Sequence, residues 1–124
     1  MAKATQRQMD GEACARSDAS LVRAFDLLGR RWTGVVLGTL SDGRASFREL
    51  ARAVEGISDS MLASRLSQLT EVSLVTRTVD EGPPLSVAYE LTDAGRALLP
   101  ALEQIVRWAD EHLPAGGTEN ESRL

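Results

Sequence analysis

A mainly α-helical domain with one small β-hairpin is the fold class predicted by this sequence of 124 residues, and three observations predict it. Apolar side chains recur at helical spacing in several separate stretches. Two of those stretches are opened by a serine placed to cap a helix. One pair of β-branched or alternating runs flanks a glycine-proline turn. The pattern changes type without any internal repeat, so one mixed domain is expected over 18–113, between loosely ordered tails at 1–17 and 114–124.

The elements follow in order. Leu21, Phe25 and Leu28 repeat at helical spacing and stop at Gly29, while Trp32, Val36 and Leu40 repeat at four-residue steps until Asp42-Gly43, so two core helices are expected. Ser46 followed three residues later by Glu49 is a capping box that opens a helix over 46–54, with Phe47, Leu50, Ala51 and Val54 on its buried side. After Glu55-Gly56-Ile57, Ser58 caps a second helix over 58–71 whose inward stripe is Leu62, Leu66 and Leu69. From Leu74 the chain turns β-branched (LVTRTV), breaks at Asp80-Glu81-Gly82-Pro83-Pro84, and resumes with Leu85, Val87, Tyr89 and Leu91 alternating with smaller or polar residues, which predicts an antiparallel hairpin. Thr92-Asp93 caps a last helix over about 93–113, expected to kink at Pro100 because proline removes one backbone hydrogen bond.

Two helices, a short helix, a tight turn, a second helix and a hairpin are the order of a winged helix-turn-helix, with about five helices and a two-stranded wing. In that arrangement the second helix of the pair enters the major groove and the hairpin reaches the flanking backbone. The outward side of 58–71 fits this role. Ser60, Ser64, Ser67 and Gln68 face out, flanked by Met61 and Arg65, where a merely solvated helix would more often carry Glu and Lys. Short polar side chains permit close approach to bases, and Arg65 offers two donors to a guanine or a phosphate. The expected DNA contacts are Ser58, Ser60, Met61, Ser64, Arg65, Gln68 and Ser86, with Arg44, Arg48 and Arg77 as phosphate clamps.

The last helix carries two adjacent apolar stripes, an apolar face too wide for one small domain to cover. A homodimer joined through Leu98, Leu99, Leu102, Ile105, Val106, Trp108 and Ala109 is therefore expected. Trp32 and Trp108 are read as packing residues, with a small-molecule effector cavity beside them as the alternative. His112 suits the negative end of the helix dipole.

Composition narrows the function classes. A hydrophobic fraction of 43% and a charged fraction of 26% fit one globular domain, and no apolar run approaches a bilayer span. The polar start from Met1 to Met9 leads to the expectation of a soluble, cytoplasmic protein without membrane partners. A net charge of −4 opposes non-specific nucleic-acid binding by the whole chain, yet residues 30–77 hold seven arginines against five acids and residues 78–124 three arginines against nine acids. One histidine and one cysteine cannot build a usual zinc cluster, and neither a phosphate loop nor a nucleophile motif is found, so neither an enzyme nor a cofactor is expected. The rival reading is a winged helix used only for protein contacts, supported by the acidic total charge.

Several segments together resemble the HxlR family of bacterial regulators: RAFDLLGRRW at 23–32, FRELARAVEGIS at 47–58, MLASRLSQL at 61–69, LVTR at 74–77, VAYELTDAGRALLP at 87–100, and Trp108. The resemblance covers about 19–113. It implies a repressor or activator with a double-stranded DNA operator in the form of an inverted repeat, a dimer formed through the terminal helices, and control by a chemical or redox signal. Three departures stand out. Relatives often carry a basic residue where this chain has Ser60 and another where it has Ser86, and their Asp-Gly or Asn-Gly before LV is replaced by Val72-Ser73, so the exit of the recognition helix lacks its preferred glycine. The cysteine of redox-responsive relatives aligns near Ala19, five residues after Cys14; Cys14 beside Arg16 is either an incidental exposed thiol or the site of an intersubunit disulfide.

Overall fold

The structure, a computed structural model, describes residues 18–114, and the expectations for both tails and for Cys14 lie outside the described residues. The chain divides into two units at Thr33/Gly34. In the first, helix α1 occupies 18–28 and ends where the Gly29 N–H donates to the Phe25 carbonyl at 2.7 Å. The Arg31 guanidinium lies over the Trp32 ring at 4.9 Å, and Trp32 itself holds a positive φ of 80°. Leu21 and Phe25, expected in a core, are each more than half exposed, as is Val22 beside them. Periodicity identified their helix correctly but not what covers its apolar face.

From the division onward the chain runs α2 (Thr33–Thr39, its first residue the last of the first unit), a 3₁₀ turn (Leu40–Asp42), β1 (Ala45–Ser46), α3 (Phe47–Ala53), α4 (Asp59–Glu71), β2 (Val75–Asp80), β3 (Ser86–Leu91) and α5 (Asp93–His112). The wing is a three-stranded antiparallel sheet ordered β1-β3-β2, one strand more than expected. β2 and β3 pair from Val75↔Leu91 at the root to Asp80↔Ser86 at the tip, while Ala45 and Ser46 pair with Tyr89 and Ala88. Val36, Leu37, Leu40, Leu50, Val54, Leu62, Leu66, Leu69, Val75 and Leu91 form the core, so α2, α3, α4 and the sheet root share one apolar centre. Phe47 and Ala51, expected beside Leu50, are half-buried.

The junction of α4, β2 and α5 is held by backbone geometry. Ser73 takes a left-handed φ of 64° in the place where the family resemblance implies glycine, and the Leu74 N–H then reaches back to the Leu69 carbonyl at 2.9 Å, which closes the end of α4. Thr92 caps α5 by accepting from the Gly95 N–H at 3.1 Å, and its hydroxyl donates to the Ser73 carbonyl at 2.7 Å. Gly95 is buried against the Leu74 carbonyl, where a β-carbon would overlap backbone. α5 runs unbroken through Pro100.

Candidate nucleic-acid interface

The helix pair is built by its caps. Ser46 Oγ accepts from the Glu49 N–H at 3.1 Å and the Glu49 carboxylate accepts from the Ser46 N–H at 2.9 Å, the expected reciprocal box. The Ser46 N–H, then its hydroxyl, hold the Glu49 carboxyl below its ordinary pKa, with Arg52 adding to the effect. Leu50 and Val54 anchor α3, after which Gly56 supplies a φ of 88° that turns the chain into α4. Ser58 starts α4 by accepting from the Met61 N–H at 3.1 Å.

Leu62, Leu66 and Leu69 fix the rotation of α4 about its axis, which decides what the helix presents outward. Ser60, Ser64 and Ser67 are exposed on the opposite side. Glu71, four residues beyond Ser67, falls on that same line and closes the face at its C-terminal end. The outer face of α4 therefore ends on a carboxylate, one step beyond the 60, 64, 67 spacing. On one flank Met61, Arg65 and Gln68 are half-buried, and Arg65 Nη1 donates to Gln68 Oε1 at 3.2 Å, which holds the guanidinium beside the serine face.

The other expected contacts are spread over separate elements. Ser58 Oγ serves the cap and lies 3.3 Å from Ser60 Oγ. Arg44 is exposed in the segment before β1, Arg48 on the first turn of α3, and Arg77 on β2. Ser86 is exposed at the wing tip, directly across from Asp80, whose carboxylate accepts from the Gly82 N–H at 3.1 Å. With Glu81 next to it, the tip is acidic where a DNA-binding wing would place a cation.

On α5, Leu98, Leu99, Leu102 and Ala109 are half-buried, while Ile105, Val106 and Trp108 are exposed, at 46%, 58% and 54%. Gly38 and Ser41 face Leu99, Leu102 and Val106 across an open groove of about 380 Å³, and Trp108 does not line it. The Trp108 ring is instead tilted against His112 at 6.0 Å, and His112 Nε2 lies 3.7 Å from the Glu111 carboxylate.

Comparison with known proteins agrees with this geometry. The family model described as HxlR-like helix-turn-helix matches residues 27–116. The HTH-type transcriptional regulator YodB of Bacillus subtilis is 39% identical over 95 residues, which cover 77% of this chain and 85% of that protein. Among solved structures, the reduced form of YodB superposes with a TM-score of 0.70 at 37% identity, covering 76% of this chain and 92% of that one. The redox regulator HypR in its reduced form gives 0.73 at 28% identity, covering 80% and 98%.

Proposed function

The chain belongs to the HxlR-like helix-turn-helix family of transcriptional regulators, and on that premise we propose that it binds operator DNA as a homodimer, with the α4 helix of each copy in one half-site of an inverted repeat. The observation that carries this reading is the outer face of α4. Ser60, Ser64 and Ser67 leave the helix slim enough to enter a major groove, and Arg65, steadied by Gln68, stands at its edge as the base-reading cation. Arg44, in the segment before β1, and Arg48, on the first turn of α3, serve as phosphate contacts.

The dimer reading rests on unpartnered apolar surface. Ile105, Val106 and Trp108 on α5 expose large hydrophobic side chains, and Leu21, Val22 and Phe25 do the same on α1. A second copy is the simplest way to remove them from water, and pairing also places two copies of α4 on one duplex. The net charge of −4 makes attraction to DNA local to these elements.

The relatives point to the signal class: YodB has been solved in reduced, diamide-treated and quinone-bound forms, and HypR in oxidised and reduced forms. In this chain a disulfide response would have to run through Cys14, the single cysteine, and so to a thiol outside the chain, of which the same cysteine of a second copy is one. The test of the reading is a gel shift with the DNA upstream of the protein's own gene, repeated across salt. A steep fall in affinity with salt is expected. Absence of binding at every salt concentration would return the protein to the class of winged helices that contact only other proteins.

A further inference from the structure

The root of the wing brings Arg77, expected from the sequence as a phosphate clamp, together with two hydroxyl donors, Ser67 and Tyr89. In an antiparallel sheet, alternate residues share a face and directly opposed residues are neighbours. Val75 and Leu91 are opposed and buried; two residues along, Arg77 and Tyr89 are opposed on the same face, the one turned toward α4. Ala63, Ser67, Thr70 and Glu71 complete the walls of an open cavity of about 440 Å³ with them.

The chemistry of those walls is selective. Thr70 already donates its hydroxyl proton to the Leu66 carbonyl at 2.7 Å. The Arg77 guanidinium, the Tyr89 phenol and the Ser67 hydroxyl have no hydrogen-bond or ion-pair partner among the described residues, and Arg77 forms no ion pair with Glu71 although both line the cavity. One cation and two neutral hydroxyl donors around a solvent-open cleft suit a tetrahedral oxyanion. Ser67 also belongs to the exposed line of α4, so the cleft opens beside the surface assigned to the groove.

We infer that Arg77, Tyr89 and Ser67 form a seat for one backbone phosphate of the duplex, so that the wing grips DNA at its root while its acidic tip stays clear. This rests on the DNA-binding reading above. Glu71 cancels the charge of Arg77 locally, so the seat takes a phosphate delivered by a duplex already engaged by α4, in preference to a free phosphate ion.

Fluorescence anisotropy with labelled upstream DNA and a scrambled duplex, across salt, tests the seat. Tyr89→Phe should weaken binding about three- to tenfold on both duplexes. Arg77→Ala should weaken both equally and reduce the salt slope by about one. Glu71→Gln should tighten binding to both, a gain that a damaged fold cannot produce. If the Tyr89 and Arg77 variants keep wild-type affinity and slope while Arg65→Ala loses the operator, the seat is wrong and the DNA reading stands. Loss confined to the operator would make Arg77 a base reader and also overturn the seat. If wild-type protein binds neither duplex, the parent reading fails first.

Discussion

Replacing Gly95 with alanine sets two effects of opposite sign against each other at one atom. Alanine is the better helix former, by about 1 kcal/mol in a helix interior and less in a first turn. At Gly95, however, the added β-carbon would overlap the Leu74 carbonyl and come within 3.1 Å of Leu91 Cδ2. Neither neighbour can yield easily. The Leu74 carbonyl accepts from the Thr92 N–H at 3.0 Å, the Leu74 N–H donates to the end of α4, and Leu91 is only 4% exposed. Forcing a methyl group into a packed site costs about 1–3 kcal/mol, and loosening the Thr92 hydrogen bond adds about 0.5–1.5 kcal/mol. The clash therefore wins, and Gly95→Ala should lose about 1–3 kcal/mol. For a domain of roughly 100 residues this is a fall in Tm of about 4 °C or more. Urea and thermal melts followed by circular dichroism, at one fixed protomer concentration because the stability of the proposed dimer would depend on it, would measure the change. A variant as stable as wild type would show that the α4–β2–α5 junction is not the tight joint described above.

Three further outcomes follow from the same geometry. Ser73→Gly should stabilise by about 0.5–1 kcal/mol in urea melts, because glycine relieves a left-handed φ of 64° at the end of α4; a loss of stability would contradict the strain argument. Glu49 is held below its ordinary pKa chiefly by the Ser46 N–H, so its contribution to stability is present above the unfolded carboxylate value and lost as the pH falls through the folded one. Glu49→Gln keeps the cap but should flatten that part of the acid limb in melts taken from neutral to acid pH, and an unchanged acid limb would remove Glu49 from it. Trp108→Glu should convert dimers to monomers in sedimentation velocity, and persistence of wild-type dimers would place the interface elsewhere than on the exposed face of α5.

The features most legible in the sequence were those set by neighbours within a few residues. The Ser46–Glu49 box, the Ser58 and Thr92 caps and the antiparallel hairpin depend on local spacing, and the structure realises each of them. Val72-Ser73 also signalled its own strain, since a helix exit without glycine must still turn left-handed. What escaped the sequence depends on distant partners. β1 is two residues long and exists only by pairing with Ala88 and Tyr89, so no periodicity marks it. Gly95 reads as a weak helix former until Leu74 is seen against it. Leu21 and Phe25 announce an apolar face without saying that their own chain leaves it exposed. The polar outer face of α4 was legible because small polar groups opposite a leucine stripe are a local pattern. Arg77 and Tyr89 become neighbours only through strand pairing.

The most direct test of the account is hydroxyl-radical footprinting of the upstream DNA with wild-type protein and with Arg65→Ala. Wild type should protect two half-sites related by twofold symmetry, with centres about 10 base pairs apart or a multiple of that. The variant should lose both together, with affinity lower by roughly 1–3 kcal/mol. A single unpaired protected patch, or a footprint that survives unchanged in the variant, would contradict the claim that two copies of α4 read the duplex.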